Sequence, residues 1–203
     1  NISANYGLLT LMQVFDAQHG RFPITEIADS PRFEFRGMHL DIARHFPGKA
    51  AIESVVRQMF TYKLNKLHLH LSDDEGWRLA IDALPELTEI GAFRCHDLSE
   101  AQCLLPQLGS GPFKSATGNG FLTQQDYIEI LTMAHARGIE VIPSLDMPGH
   151  ARAAIVAMNA RYKRLMAEGE LDAANEFLLV DKEDKTQYES VQFYSDNTIN
   201  PCL

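Results

Sequence analysis

The sequence lacks the features that would place it in a membrane or on a nucleic acid. In its 203 residues no apolar run approaches the roughly 18 consecutive residues that span a bilayer, so we expect no transmembrane segment. No basic stretch followed by an apolar one opens the chain, so we expect a signal peptide to be absent or already removed. Lysine and arginine form no clusters and the net charge is −9, which argues against a nucleic-acid partner.

Cysteine is also scarce, with three in the chain. Cys95 and Cys103 lie eight positions apart in a loop that contains glycine and proline, whereas Cys202 is one residue from the end. The spacing leaves two interpretations open. Either the three thiols are unrelated, or Cys95 and Cys103 form a local disulfide while Cys202 pairs with a cysteine beyond Leu203. An odd number of cysteines is notable in an exported protein.

What the chain does contain is a globular composition and an alternation of strand and helix patterns. Apolar residues make up 45% of the sequence, enough for one good-sized core. From residue 34 onward, strand-like segments alternate with segments of the helical period. The strand-like segments are 38–42, 67–71 and 139–145, and the helical ones are 52–59, 123–134 and 151–166. This alternation predicts a parallel sheet with right-handed crossovers.

The predicted fold class is α/β, with residues 33–203 forming the N-terminal half of a (β/α)8 TIM-type barrel. Three or four strand–helix units amount to about half of such a barrel, which typically needs about 250 residues. Residues 1–32 differ, with an apolar helical stripe over 5–18, and we expect them to be the C-terminal end of a preceding, smaller α+β domain. The irregular stretch 80–120 is expected to be functional or an inserted decoration. A last extended piece is expected over 177–181.

Ionisable groups follow three of the predicted strands. Arg44 follows the first, the acidic run Asp73-Asp74-Glu75 follows the second, and His150 closes the motif DMPGH after the third. Because the carboxyl ends of parallel strands meet on one rim, we expect these groups to lie together. The planar guanidinium suits vicinal hydroxyls or a carboxylate. Taken singly, each residue also fits a structural role, such as a surface arginine or a solvated acidic turn.

Two histidines on the second strand support a rival hypothesis. His68 and His70 share one face of that strand, an arrangement with which metal-dependent barrel hydrolases begin their metal site. His150 and Asp146 would complete such a site. However, the pair lies on the second predicted strand rather than the first. Hydrogen-bonded histidines that line the barrel are the favoured interpretation, and we expect no metal ligand.

Three segments together resemble glycoside hydrolase family 20, the β-N-acetylhexosaminidases. They are 35–46 (FRGMHLDIARHF), 62–78 (YKLNKLHLHLSDDEGWR) and 139–151 (IEVIPSLDMPGHA). The stretch 84–106, with RCHDL and CLLP around the first two cysteines, is similar to the bacterial chitobiases in particular. The likeness runs from about residue 5 to the end of the chain.

The resemblance implies a role for each candidate site residue. Arg44 would bind hydroxyls of the terminal sugar, and His70 would line the same subsite. Asp73 and His150 would support the catalytic acid. The resemblance also implies a disulfide Cys95–Cys103 and a second disulfide from Cys202 to a cysteine further on.

The implied chemistry is substrate-assisted and needs no cofactor. In this family, an exception to the two-carboxylate scheme, the sugar's own 2-acetamido oxygen attacks the anomeric carbon and stereochemistry is retained. A Glu protonates the leaving oxygen and a neighbouring Asp orients the acetamide, both in a Gly-Gly-Asp-Glu motif on the fourth strand. Residues 150–203 contain no such motif, so we expect this fragment alone to be inactive. A second departure is Ser144, which stands where the family usually has a Glu.

The predicted function is therefore the removal of terminal non-reducing N-acetylhexosamine residues from chitobiose and chitooligosaccharides. The expected partner is an N-acetylglucosamine-containing oligosaccharide. The expected location is periplasmic or secreted, with outer-membrane association as a further option. Two alternatives are a metal-dependent TIM-barrel hydrolase and a non-catalytic sugar-binding module. Half a barrel leaves an open sheet edge and an unfinished pocket, which weighs against the second alternative.

Overall fold

The computed structural model describes residues 2–16, 18–107, 109–181, 183–185 and 187–201. Cys202 and its expected pairing lie outside these residues. The described residues form the helices α1 (Ile2–Val14), α2 (Lys49–Thr61), α3 (Glu86–Glu89), α4 (Gln124–His135), α5 (Arg152–Glu168) and α6 (Leu171–Asn175). They also form the strands β1 (Gly37–Asp41), β2 (Lys66–Asp73), β3 (Gly76–Trp77) and β4 (Glu140–Leu145). The arrangement is α/β, as the alternating sequence pattern predicts.

Strand β2 lies at the centre of the sheet. It pairs in parallel with β1 on one side and with β4 on the other, and the short β3 turns back to pair with it antiparallel. The register places Asp41 of β1 and Ser144 of β4 opposite His70 of β2. Because neighbouring strands of a sheet lie about 4.8 Å apart, this register brings the three side chains to one level.

One face of the sheet builds the main core. Leu67, Leu69 and Leu71 of β2 are fully buried there. They belong to a cluster with apolar residues of α2 and α4, namely Ile52, Val56, Met59, Ile130 and Ala134. Burying a leucine side chain stabilises a fold by roughly 1.5–3 kcal/mol, so this face contributes much of the stability. The period-2 alternation leaves His68, His70 and Ser72 for the opposite face.

Helix α4 begins at a capping box, as the spacing of Thr123 and Asp126 predicts, but its C-cap is Ala136 rather than Gly138, the position that the sequence predicts. The Thr123 hydroxyl accepts a hydrogen bond from the Asp126 N–H at 3.0 Å, and the Asp126 carboxylate accepts one from the Thr123 N–H at 3.0 Å. This is a capping box with Asp at the third helical position. Past the end of the helix, Gly138 adopts φ +68°, a left-handed conformation that turns the chain toward β4.

Two predicted elements differ in the structure. The helical stripe expected over 5–18 is α1, which ends at Val14, and none of its residues is buried, with Met12 73% exposed. Its apolar residues therefore form no core with the rest of the described chain. The extended piece expected over 177–181 is wrong, because these described residues form no strand. They follow α6 as turn and irregular backbone, and Phe177 packs beside a second apolar cluster around Trp77 and Ala153.

A buried arginine joins the irregular stretch to the end of β1. The Arg78 side chain is completely buried and donates hydrogen bonds to the backbone carbonyls of Ile42, Ala43, Ala92 and Gly120. Burial, together with the nearby positive charge of another arginine, lowers its pKa to about 9. These bonds hold in place the loop that carries Arg44.

In the described ranges, no helix is both long enough and apolar enough to cross a membrane.

Candidate active site

The loops that follow the three parallel strands meet at one end of the sheet. Arg44 comes from the loop after β1, Asp73 ends β2, and His150 lies two residues before α5. The Arg44 Nη2 atom lies 2.6 Å from Asp73 Oδ2, and His150 Nδ1 lies 3.3 Å from Asp73 Oδ1. The structure therefore brings the three predicted residues together, with the Asp73 carboxylate between the guanidinium and the imidazole.

Arg44 contacts a different carboxylate with each of its guanidinium nitrogens. Its Nη1 lies 2.7 Å from Asp41, its Nε lies 3.1 Å from Glu75, and its Nη2 contacts Asp73. Burial opposes its charge, but the Asp41 hydrogen bond and the surrounding carboxylates raise its pKa overall. A guanidinium has five N–H groups, so Nη1 and Nη2 each keep a second N–H for a ligand. The side chain is 31% exposed, so part of it can be reached by a ligand.

Asp73 is a buried carboxylate whose partners favour its charged form. Its side chain is 1% exposed and lies 2.9 Å from His70 Nε2, and it accepts a hydrogen bond from the Asp74 N–H at 2.8 Å. Burial alone would raise its pKa. The hydrogen bonds from His70 and the backbone, with the charges of Arg44 and His150, outweigh burial and lower the pKa.

Asp74, although adjacent, has a different environment. It accepts hydrogen bonds from Asn197 Nδ2 at 2.9 Å and from the Arg152 N–H at 3.1 Å. Burial raises its pKa more than these donors lower it. Its Oδ2 also lies 3.2 Å from His150 Nδ1. Asp74 thus fixes the start of α5 and the residues around 197, while Asp73 faces the guanidinium.

Another buried arginine, Arg152 at the start of α5, connects that helix to the loop closed by the Cys95–Cys103 disulfide. Arg152 is 5% exposed and contacts both Glu100 oxygens, at 2.7 and 2.6 Å, and Asp196 at 2.8 Å. Glu100 lies within the loop closed by the Cys95–Cys103 disulfide, which the structure confirms with a Cα–Cα distance of 5.8 Å. The irregular stretch is therefore tied to the helix that follows His150.

Histidines line the polar face of the sheet below Asp73. The Ser144 Oγ atom lies 2.9 Å from His70 Nδ1 and 2.7 Å from His68 Nε2. A further imidazole, His39, contacts His68 with a distance of 3.0 Å between their Nδ1 atoms. The hydrogen bond to Asp73 raises the pKa of His70, whereas burial lowers the pKa of His68. His70 is thus the histidine that joins this row to the carboxylate.

The same geometry bears on the metal hypothesis. His68 and His70 do not point two nitrogens at an open position, because both contact the Ser144 hydroxyl. Two groups of three side chains do place their ligand atoms within 4.8 Å of one another. They are His70, Asp73 and Asp146, and Asp73, Asp74 and His150. Asp73, which both groups share, already pairs with Arg44 at 2.6 Å.

Sequence reasoning missed several residues that complete this site. Asp41 and Glu75 hold Arg44, and Asn197 holds Asp74. Asp41 was open to detection, because it lies near the end of a predicted strand, three residues before Arg44. Asn197 offers no local signal, since it is 123 residues from its partner. Ser144 was identified as a departure from the family, but not as the contact between two histidines.

Comparison with known proteins identifies the family to which the chain belongs. The model for the glycosyl hydrolase family 20 catalytic domain matches residues 33–203. β-Hexosaminidase B of Pseudoalteromonas piscicida is 58% identical over 99% of the chain and 26% of its own length. N,N′-diacetylchitobiase of Vibrio harveyi is 53% identical over 98% of the chain and 23% of its own length. The chain thus spans about a quarter of the length of the curated relatives it matches.

The chain is also similar to solved structures of the same family. The crystal structure of a GH20 exo-β-N-acetylglucosaminidase from Vibrio harveyi in complex with N-acetylglucosamine superposes with a TM-score of 0.77 and 40% identity. That match covers 98% of this chain and 28% of the other. The β-N-acetylhexosaminidase of Bacteroides fragilis superposes with a TM-score of 0.63 and 33% identity, over 80% of this chain and 30% of its own.

Proposed function

Since this chain belongs to glycosyl hydrolase family 20, we propose that the protein carrying it is a β-N-acetylhexosaminidase. The proposed reaction removes terminal non-reducing N-acetylhexosamine residues from chitobiose and chitooligosaccharides. The names of two similar proteins, a β-hexosaminidase B and an N,N′-diacetylchitobiase, support this substrate class. The observation that carries the proposal is the convergence of Arg44, His70 and His150 on the buried carboxylate of Asp73.

Arg44 is the proposed sugar-binding residue. Its guanidinium is held by three carboxylates, so its direction is fixed before a ligand arrives. The second N–H groups of Nη1 and Nη2 lie side by side in one plane, which suits two adjacent hydroxyls of a pyranose ring. Hydrogen bonds that involve a charged donor stabilise a complex by about 1.5–3 kcal/mol. Such bonds would contribute to affinity for the terminal sugar.

Asp73 and His150 are the proposed support for a catalytic acid. An ionised, buried carboxylate next to an imidazole can hold a neighbouring acid in position and raise the pKa of that acid through its negative charge. His70 donates to Asp73 from the other side, and it is proposed to line the sugar subsite. The acid is proposed to come from outside these 203 residues, because they contain no Gly-Gly-Asp-Glu motif.

The proposed mechanism is substrate-assisted and retains stereochemistry. The 2-acetamido oxygen of the sugar attacks the anomeric carbon as the glycosidic bond breaks, and the acid gives its proton to the leaving oxygen. Water then opens the oxazolinium intermediate and restores the proton to the acid. Without the acid, the chain as given is proposed to be inactive.

The proposed architecture is the first part of a (β/α)8 barrel. Three parallel strands alternate with helices among the described residues, and the polar ends of those strands share one rim. Residues 1–32 are proposed to be the end of a smaller α+β domain. Two observations support this boundary: the family match begins at residue 33, and α1 buries none of its residues.

The proposed location is the periplasm or the exterior of the cell, with outer-membrane association as a further option. The Cys95–Cys103 disulfide supports this, because disulfides persist in oxidising compartments and are rare in the cytosol. Fractionation of the native host with an antibody to this chain would test the proposal. Recovery of the protein with cytosolic markers, and with the two cysteines reduced, would overturn it.

The experiment that tests the function is Arg44→Ala in the full-length protein, assayed with a chromogenic N-acetylglucosaminide. We expect binding of the substrate to weaken by several-fold to a few hundred-fold, roughly 1–3 kcal/mol. Arg57→Ala on α2 is the matched control, because that arginine is 49% exposed and pairs with Glu53 at 3.6 Å, away from the site. Equal kinetics for both variants would refute the role of Arg44.

Two further measurements separate the alternatives. Stoichiometric zinc in the purified full-length protein, with activity lost on chelation, would favour a metal-dependent hydrolase. Calorimetry with N-acetylglucosamine tests the sugar-binding module: binding by this chain without hydrolysis by the full-length protein would favour it. Activity that persists in a chelator and disappears with Arg44→Ala supports the hexosaminidase.

A further inference from the structure

Ser144 makes two side-chain contacts that the proposed mechanism does not use. Its Oγ lies between His70 Nδ1 at 2.9 Å and His68 Nε2 at 2.7 Å. A hydroxyl has one proton to donate and lone pairs to accept with. Ser144 can therefore donate at most one of the two contacts, and it accepts at least one of them.

The direction of each of these hydrogen bonds follows from the contact between His70 and Asp73. Asp73 is a buried carboxylate and can only accept, so His70 Nε2 must carry the proton of their 2.9 Å hydrogen bond. In the neutral ring Nδ1 is then an acceptor, and Ser144 donates to it. The Ser144 oxygen in turn accepts from His68 Nε2–H. His68 Nδ1 is left to accept from His39 across 3.0 Å.

We propose that the Ser144 hydroxyl, held between the two imidazoles, is a positioning residue that keeps His70 in the tautomer that presents its Nε2–H to Asp73. The opposite tautomer would turn a nitrogen lone pair toward the carboxylate at 2.9 Å, and the two would repel. Asp73 would then lose one of the donors that hold it against Arg44 and His150. The effect on catalysis rests on the proposed function, whereas the effect on the tautomer does not.

The surroundings of His70 contain other charges that act on the ring. Asp146 Oδ1 lies 3.9 Å from its Nδ1, and Asp41 of β1 lies opposite in the sheet register. His39 and His68 face the ring from the other side, with the His39 and His70 centroids 5.9 Å apart. Asp73 favours a proton on Nε2, whereas Asp146 favours one on Nδ1. A proton that Ser144 donates to Nδ1 opposes the second of these effects, so Ser144 supports the tautomer that Asp73 requires.

The test is Ser144→Ala in the full-length protein, with ring 15N chemical shifts of labelled histidine as the first readout. The His70 signals are assigned with a His70→Gln variant. We expect the parent to show a protonated Nε2 and a bare Nδ1, and Ser144→Ala to show a mixture of tautomers. Ser144→Thr, which restores a hydroxyl on a strand position, should restore the parent pattern. Ser144→Cys, with a weak donor, takes the place of alanine if Ser144→Ala fails to fold.

The matched control is Ser72→Ala. Ser72 lies on the same face of β2, but its Oγ accepts from the Asp146 N–H at 3.2 Å and contacts no histidine that the structure describes. We expect the His70 shifts to remain those of the parent. As a second readout, Ser144→Ala should lower kcat about fivefold to tenfold, with KM changed less than about twofold, because one hydrogen bond that positions the site is lost.

The outcomes separate the two proposals. An unchanged His70 tautomer in Ser144→Ala overturns the inference, whatever the activity. A lost kcat that Ser144→Thr does not recover, with the tautomer intact, also overturns it, because the residue is then merely structural. A parent protein without hexosaminidase activity refutes the proposed function instead, while the tautomer measurement still decides the hydrogen-bond direction.

Discussion

The two faces of strand β2 differ in almost every physical respect. Leu67, Leu69 and Leu71 are fully buried against helices, and they stabilise the fold through the apolar area that they bury. On the opposite face, His70 is also buried, but its two ring nitrogens make directed contacts with Asp73 and Ser144. Because successive side chains of a strand point to opposite sides, one face of β2 can stabilise the fold while the other carries the polar groups of the candidate site.

The largest effect expected on the apolar face is that of Leu69→Ala. Removing a fully buried leucine side chain leaves a cavity, so we expect a loss of about 2–5 kcal/mol in the free energy of unfolding. Thermal unfolding of the full-length protein measures it. Below the unfolding transition, kcat and KM should stay at the parent values. A change in kcat larger than the change in stability would break the separation between the faces.

At the end of β2, where Asp73 contacts His70 of the polar face, the corresponding change is Asp73→Asn. It keeps the shape of the side chain and removes the charge that Arg44 and His150 share, so we expect kcat/KM to fall roughly 100-fold, or about 2.7 kcal/mol. The melting temperature should fall less than in Leu69→Ala. Asp172→Asn on the exposed surface of α6 serves as the control. Activity within a factor of two of the parent would contradict the central place of Asp73.

Two buried carboxyls of the same turn sharpen the comparison through their pH dependence. The pKa of Asp73 is lowered on folding, so its ionised form stabilises the fold above the unfolded pKa of about 4, and that contribution is lost as the pH falls through the folded pKa. Burial raises the pKa of Glu75, so its ionisation destabilises the fold as the pH rises through the folded pKa.

The two variants should therefore respond to pH with opposite signs. Relative to the parent, Asp73→Asn should lose more stability near pH 7 than near pH 3, and Glu75→Gln should lose less near pH 7 than near pH 3. Urea unfolding across this range provides the measurement. Parallel curves for the two variants would show that the turn titrates as one unit.

The smallest effect concerns neither face of β2. Thr123→Ala removes the side-chain half of the capping box of α4, so we expect a loss of about 1 kcal/mol in stability and no change in kinetics. Thr123→Ser, which keeps the capping oxygen, is the control. A loss as large as that of Leu69→Ala would mean that the helix end carries more of the core than its hydrogen bonds indicate.

Much of the fold could be predicted from local pattern. The alternation of Leu67, Leu69 and Leu71 with polar residues predicts a strand with one buried face, and Thr123 with Asp126 predicts the start of α4. The stripe of α1 was harder, because its apolar residues are spaced for burial but none is buried within the described chain. Periodicity states which face is apolar, and it does not state whether another element covers that face.

In the candidate site, too, local pattern predicted some residues, and others were found only from contacts across the fold. Arg44, the acidic run that begins at Asp73, and His150 were identified because each follows a strand end, and parallel strands put those ends on one rim. Within the acidic run, the family resemblance singled out Asp73. Asp41 and Glu75 as partners of Arg44, and Asn197 as the partner of Asp74, were not, because hydrogen bonding across the fold follows no sequence spacing.

By itself, the sequence determined the family, the strand–helix order and the three loops that carry the ionisable groups, since these follow from local composition and motif. Only the tertiary structure decided that Asp41 and Glu75 also hold Arg44, and that Ser144 lies between two histidines. The physical reason is that a side chain's protonation and role depend on the donors and charges within a few ångströms of it, and the register of the sheet, rather than the order of the residues, brings those groups together.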